Sequence, residues 1–470
     1  MRLTSITLYG GRDEIGGNKV LLEDEDLRFF LDFGLGFERV NRYFAEFLQP
    51  RSSAGLRDYL ELGLVPRLQG LYREDLLKPT CMQRAEPAID GALLSHPHMD
   101  HAGCIPLLDQ SIPIHCTATA RRILEVYQES SRGGFENEFL RGKVRPFGKY
   151  VPPNRWEEFE RPFALPEEAE LELEALEVDH STFGACGYLI YASEGTIAYT
   201  GDLRLHGPRR ELSIEFIRRL REEGIDVLII EGTNVGEVVP QPKLRSEEEV
   251  KLKALEEVMA AKDEPVFVDF SPRDFDRLRT MFEVASLAGR TLVVPTKLAY
   301  YVKELGDIVG LKLEDLLVYI EPKELGSYDE REYHKWERDL LSLENSERYD
   351  WLREHMDELI IYMDYYSVQN LVDLRPERGV YIHATSEPIT EEQAIDFRRF
   401  RSWLEHFNLR YRHLHASGHL SSDEVFRLIE DVAPKLVIPV HTKGYAIFKR
   451  EVPNVVLPEE GVPVELTSNR

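Results

Sequence analysis

Cysteine is scarce in this chain: four stand in 470 residues, at Cys81, Cys104, Cys116 and Cys186, and no two form a CxxC pair. That excludes a disulfide framework and a thiolate zinc site, and it leaves Cys104 to act as a small buried hydrophobe. Long apolar runs are missing too. No stretch of about 18 uncharged apolar residues occurs, and the opening MRLTSITLYGG lacks the apolar core of a signal peptide. The expectation is a soluble, cytoplasmic protein with no membrane partner. Positive charge is the third shortage: 58 Lys and Arg against 84 Asp and Glu give a net charge of −26. Such a surface disfavours non-specific nucleic-acid binding, which needs cations opposite phosphates. It leaves room for a local groove lined by a few arginines. Internal repeats and low-complexity segments are also absent.

What the chain does have is length for two or three domains and 43% hydrophobic residues, ample for large cores. Its most informative stretch is LSHPHMDHAG, residues 94 to 103, which packs His96, His98, Asp100 and His101 into six positions behind a short apolar strand. His96 and His98, two apart in extended chain, point the same way. Asp100 and His101 open the next turn and face back towards the strand end. Three imidazoles and a carboxylate converging on a small volume suit zinc, which takes nitrogen and oxygen ligands at about 2.0–2.2 Å.

Upstream, residues 3 to 9 read as a strand, followed by the glycine-dense turn GGRDEIGGN and strands over 19–22 and 28–32. No Lys-Ser/Thr follows Gly16 and Gly17, so the turn reads as a tight connection near a site and not a phosphate loop. Asp32, at a strand end, is placed to orient a histidine ligand. Residues 38 to 80 carry aromatic and apolar residues at helical spacing and predict a helical insertion covering the site. A second helical patch is expected near Trp156.

Downstream, further strands end in chemistry-bearing residues: Asp179-His180-Ser181 after strand 171–178, Thr200-Gly201-Asp202 after 196–199, and Glu231-Gly232-Thr233-Asn234 after 226–230. An aspartate about twenty residues past His180 suits a carboxylate bridging two metals. The pattern then changes. Ser246-Glu247-Glu248-Glu249 opens a long helix to about Lys262. Strands at 266–270, 291–295, 359–364 and 380–384 alternate with helices at 274–287, 297–305 and 391–407, and a charged helical stretch is expected over 330–356. This alternation predicts an inserted parallel-sheet α/β domain. The last 60 residues return to histidine: HASGH (415 to 419), a helix over 422–432, and strand 435–440 ending in His441-Thr442-Lys443. The HASGH turn offers hydroxyl, amide and imidazole donors to an oxyanion.

With these pieces placed, the chain resembles the metallo-β-lactamase superfamily, specifically its β-CASP nucleases, and most closely RNase J. HPHMDH (96 to 101) matches the family's metal motif. Asp32 matches the motif before it, and His180 and Asp202 match those after it. Glu231 in EGTN, His419 in HASGH and His441 in IPVHTK match the three β-CASP motifs. The resemblance implies an α/β fold, a metallo-β-lactamase αββα sandwich with an inserted parallel-sheet β-CASP domain. The expected boundaries are 1–235 and 413–470 for the split lactamase domain and 236–412 for the insertion.

The resemblance further implies two zinc ions per chain, one held by His96, His98 and His180, the other by Asp100, His101 and His441, with Asp202 bridging and Asp32 behind. It implies catalytic roles for Asp100, for His419 as general acid or oxyanion stabiliser, and for Glu231 steering His419. It implies phosphate or RNA contacts from His415 and Ser417. Arg204, Arg273, Arg277 and Lys443 are the cations expected along the RNA groove. The implied activity is two-metal hydrolysis of RNA phosphodiesters, as a 5′-to-3′ exonuclease, an endonuclease or both, in RNA processing or decay, with RNA as partner and a homodimer or higher oligomer as the assembly. His98 where iron-binding relatives have glutamate, and His441 where DNA-preferring relatives typically have valine, point to zinc and to RNA. The chain ends about 30 residues after His441, so the layout resembles the short archaeal type without a C-terminal domain. The rival readings are a DNA nuclease or small-phosphodiester hydrolase of the same superfamily, and a non-catalytic RNA-processing subunit.

Overall fold

Alternating apolar residues make Ser5–Gly10, Lys19–Asp24 and Leu27–Leu31 an antiparallel meander. In the computed structural model, which describes residues 3–45, 47–236, 244–386 and 391–466, this meander begins a seven-stranded sheet. Gly91–Leu93, Ile114–His115 and Phe163–Ala164 extend it in parallel, and Val464–Glu465 closes the other edge. A second sheet runs Leu436–Val440, Val227–Glu231, Gly195–Tyr199, Cys186–Ala192, Leu173–Glu177. The two sheets face each other across one core, in which Leu8, Leu22, Phe29 and Leu93 pack with Tyr188, Ile197, Ile229 and Ile438. Helix Ala118–Ser130 and residues 54–77 cover the outside of the first sheet. Helices Arg210–Glu223 and Ser422–Val432 cover the second. The result is the αββα sandwich.

Leaving after Val227–Glu231 and returning before Leu436–Val440, the chain builds a third sheet of seven parallel strands. Their order is Ser346–Glu347, Leu317–Tyr319, Thr291–Pro295, Leu359–Tyr362, Val266–Asp269, Gly379–His383, Leu409–His413. Helices Glu247–Ala260, Phe275–Leu287 and Thr296–Val309 pack on one face and Glu391–His406 on the other. Side-chain caps start three of the helices: Ser246 accepts from the Glu249 amide, Asp274 from Arg277, and Ser421 from Glu424 in a reciprocal capping box. The boundary expected at 235/236 abuts residues 237–243, which lie outside the described residues.

Three expectations about local structure need correction. Residues 38–80 hold only short helical turns, Phe37–Asn41, Arg57–Glu61 and Glu74–Leu77, and their apolar residues Leu56, Tyr59, Leu60 and Leu76 pack on the outer face of the first sheet. The stretch 330–356 is not one helix. Side-chain bonds from distant elements pin it into turns: buried Glu337 accepts from the Thr296 hydroxyl at 2.8 Å, and Asn345 donates to the Leu313 and Leu316 carbonyls. Near Trp156 the chain forms a 3₁₀ turn, Pro153–Arg155, beside the small hairpin Arg141–Lys143/Glu158–Glu160.

Arg204 and Arg277, expected in an open groove, are both 0% exposed. Arg204 reaches Asp179 (3.1 Å), Glu247 (2.9 Å) and Asp276 (2.7 Å), and Arg277 makes a two-nitrogen contact to the same Glu247 at 3.1 and 2.9 Å. Ions cut off from water cost several kcal/mol each unless paired this fully. Asp179 and Arg204 belong to the sandwich, Glu247, Asp276 and Arg277 to helices of the third-sheet unit. The network therefore ties the two units together directly beneath His180.

Candidate metal centre

The strand directions place every chemistry-bearing loop at one end of the sandwich. Leu27–Leu31 and Gly91–Leu93 run parallel and deliver Asp32 and His96 side by side. In the facing sheet, Gly195–Tyr199, Val227–Glu231 and Leu436–Val440 are mutually parallel, with Glu231 in register with Val440. Asp202, Glu231 and His441 thus leave neighbouring strands at the same edge. Asp32 and His441 both take left-handed backbone, φ 58° and 53°, as each strand breaks sharply into the site. The glycine-dense turn presses against the same place: a Cβ on Gly16 (φ +78°) would lie 2.6 Å from Asp100 Cβ.

The histidines and aspartates converge on Asp202. Its Oδ2 lies 3.1 Å from His101 Nε2, 3.6 Å from His96 Nε2, 3.7 Å from His441 Nε2 and His419 Nδ1, and 3.9 Å from His180 Nε2. His180 Nε2 is 3.1 Å from His98 Nδ1, and His441 Nε2 is 3.2 Å from Asp100 Oδ2. Two donor groups, His96/His98/His180 and Asp100/His101/Asp202/His441, each have their ligand atoms within 4.8 Å of one another; His180/Asp202/His419 forms a third, overlapping set. His96 Nε2, His101 Nε2 and Asp202 Oδ1 are buried without a hydrogen-bond partner. A buried polar atom left so is costly, and three pointing into one space fit a divalent cation better than anything the protein supplies.

The opposite ring nitrogens of His96, His101, His180 and His441 are engaged, which fixes their tautomer and ring direction. His101 Nδ1 donates to Asp32 Oδ2 at 2.6 Å, and Asp32 also accepts from the Ser95 amide and hydroxyl (2.7 Å each) and the Tyr199 hydroxyl (2.6 Å). His96 Nδ1 donates to Ser95 Oγ at 3.0 Å, and His180 Nδ1 to the Gly418 carbonyl at 2.7 Å. His441 Nδ1 donates to Thr233 Oγ1 at 2.9 Å, which donates in turn to Glu231 Oε2 at 2.7 Å. His419 Nδ1 sits 3.1 Å from the same hydroxyl and 3.4 Å from Glu231 Oε1.

Burial and the neighbouring imidazoles push His96 and His180 well below the usual imidazole range, and burial holds His98 down at about 4. All three therefore offer a free lone pair at neutral pH. His419 goes the other way. Burial opposes its charge, but Glu231 and Asp202 raise it to about 9. For Asp100, burial is outweighed by the His441 hydrogen bond and the charge of His101, so the carboxylate stays ionised.

Of the other expected site residues, Ser417 Oγ accepts from Asn234 Nδ2 at 3.1 Å and from the His419 amide at 3.2 Å, and His415 stacks on His413. Lys443, about half exposed, pairs its ammonium with Glu38 Oε2 at 2.6 Å. Arg273 has no side-chain ion pair among the described residues; its guanidinium lies over the Tyr127 ring. Sequence reasoning missed Ser95, Tyr199, Thr233 and Asn234. Thr233 and Asn234 stood in the quoted EGTN motif, but a hydroxyl and an amide carry no signal until their partners, some two hundred residues on, are placed beside them.

A family model for the β-lactamase superfamily domain matches residues 66–263. Among curated proteins, the chain is 23% identical over 462 residues to Ribonuclease J of Pyrococcus abyssi, covering 94% of this chain and 90% of that protein. It is 21% identical over 477 residues to Ribonuclease J of Helicobacter pylori strain J99, covering 98% of this chain and 60% of the relative's length. A crystal structure of a protein of unknown function from Enterococcus faecalis superposes with a TM-score of 0.73 at 22% identity, covering 99% of this chain and all of that one.

Proposed function

We propose that this chain, matched by a β-lactamase superfamily domain model over residues 66–263 and similar to ribonucleases J over nearly its whole length, is a ribonuclease of the metallo-β-lactamase superfamily that hydrolyses RNA phosphodiesters at a centre of two zinc ions. The observation that carries the reading is the position of Asp202, one carboxylate oxygen within 3.9 Å of five imidazoles. A carboxylate so surrounded, next to two complete donor groups, is suited to span a metal pair. His96, His98 and His180 would hold one ion, Asp100, His101 and His441 the other, and Asp202 both. Bound there, the pair supplies an activated water at neutral pH and stabilises charge developing on the phosphoryl oxygens.

The protein's own groups carry the remaining work. Asp100, ionised and hydrogen-bonded to His441, is placed to take a proton at its carboxylate as the attack proceeds. Glu231 and Thr233 hold His419 by Nδ1, which leaves Nε2 to protonate or hydrogen-bond the leaving oxygen. His415 and Ser417, on the loop carrying His419, are placed to hold the adjoining phosphate. In this reading the lactamase domain comprises 1–235 and 413–470, the β-CASP domain 236–412, and RNA lies between them, shielded from an acidic exterior. Among the described residues no helix is long and apolar enough to cross a membrane, which accords with a cytoplasmic enzyme on RNA. The cut is expected from the 5′ end, within the strand, or both.

Digestion of a 3′-labelled, 5′-monophosphorylated RNA beside its DNA twin tests this. Metal-dependent loss of the RNA, abolished by Asp100→Ala, is expected, and the product ladder separates end-on from internal cutting. Preferential loss of the DNA, or equal loss with Asp100→Ala, would overturn the reading.

A further inference from the structure

Several buried cations in this acidic chain are paired with carboxylates. Arg73 meets Asp75 and Glu138, and Arg204 and Arg277 share Glu247. Lys19, Arg161 and Arg145 have no carboxylate partner among the described residues, the first two bonding carbonyls and the third lying over Phe135 and Trp156, and nor do Arg273 and Lys297. Among the described residues neither Arg273 nor Lys297 has an ion pair or a side-chain hydrogen bond, and Arg273 Nη1 is buried without a partner. Both lie over one ring, Tyr127, with Arg273 Cζ 4.8 Å and Lys297 Nζ 5.8 Å from its centroid. The ring holds the two cations close together; it does not neutralise them. Burial, then the charge of Arg273, lowers the Lys297 pKa, so the pair repels itself and the fold retains it.

The position of the pair is informative. Arg273 follows strand Val266–Asp269 and Lys297 follows strand Thr291–Pro295, so both stand at the carboxyl edge of the parallel sheet. In open α/β sheets that edge is where ligands bind. Each sits at the start of a long helix, Phe275–Leu287 and Thr296–Val309, whose terminus adds positive potential. Tyr127 comes from the other side, on helix Ala118–Ser130 of the sandwich, so the cluster spans the two units.

We propose that Tyr127, Arg273 and Lys297 form a subsite for the backbone phosphate of single-stranded RNA, where the carboxyl edge of the parallel sheet meets the sandwich. This deepens the ribonuclease reading and rests on it. The two cations bind the phosphodiester oxygens, and the phosphate relieves the repulsion between them.

Single-turnover cleavage of labelled RNA by excess holoenzyme tests the subsite, read as the enzyme concentration giving half-maximal rate and its dependence on salt. Arg273→Ala with Lys297→Ala is expected to raise that concentration on the order of tenfold and to lower the log–log salt slope by roughly 1.4, about 0.7 per single-strand phosphate contact. A swap keeping both charges, Arg273→Lys with Lys297→Arg, is expected to keep the slope. So is removal of two surface arginines, Arg218→Ala with Arg219→Ala, which changes net charge equally. An unchanged half-saturation and slope in the first variant, or an equal loss in the surface control, overturns the subsite while RNA cleavage by the wild type stands. Wild-type enzyme that leaves RNA intact overturns the subsite and the ribonuclease reading together.

Discussion

Thr233 shows how much a single hydroxyl carries in this site. It stands between Glu231 and two imidazoles, accepting from His441 and donating to the carboxylate, so the ring direction of His441 depends on it. Partners behind metal-binding histidines typically account for about 10- to 100-fold in metal affinity or activity. Thr233→Val keeps the shape and removes the bond; zinc affinity by competitive chelator titration is expected to fall within that range, with Thr233→Ser restoring it. Affinity unchanged in the valine variant would show that the hydroxyl does not orient His441. Side chains of this kind were invisible in the sequence, whereas the histidines were not. His96 and His98 stood out as part of one dense cluster, and His180 and His441, each more often structural when taken alone, gained weight only beside it.

At the scale of elements, strands and their directions were legible because apolar alternation and capping residues are local signals. Helix Ser422–Val432, strand Thr291–Pro295 and the cap at Ser246 all lie where the pattern put them. The failures share one cause. Residues 330–356 have helical composition, but hydrogen bonds from Thr296, Leu313 and Leu316 override it. Arg204 and Arg277 read as groove cations because their carboxylate partners come from distant parts of the chain. The pairing of Glu247 with both is open to a stability test. Burial works against its charge, but Arg277 and Arg204 hold its pKa below the ordinary glutamate value. A carboxylate depressed on folding contributes stability above its unfolded pKa of about 4.5, and loses it as pH falls through the folded value. Glu247→Gln is expected to cost about 3 kcal/mol at pH 7 in chemical denaturation. The difference from wild type should shrink steadily below about pH 4.5. A gap that stays constant down to pH 3 would show that the charge of Glu247 is not what binds the two units.

At the scale of the molecule, the acidic surface and the proposed substrate are reconciled by where charge is left unpaired. The chain carries a net charge of −26, while Arg273 and Lys297, which have no ion pair among the described residues, stand together over Tyr127 between the two units. The centre itself joins loops from both sheets of the sandwich to the turn that returns from the inserted sheet. His180 and Asp202 lie far from His419 and His441 in sequence and meet only because the insertion leaves and rejoins neighbouring parallel strands. The same connectivity brings one oxygen of Asp202 within 3.9 Å of imidazoles from both donor groups. The most direct test is to strip the protein of metal and add zinc stepwise while following RNA cleavage. Cleavage absent in the stripped protein, rising to a plateau at two zinc ions per chain and missing at every zinc level in Asp202→Asn, is the expected result. Full cleavage without metal, a plateau at one ion, or wild-type cleavage by Asp202→Asn would contradict a shared two-metal centre.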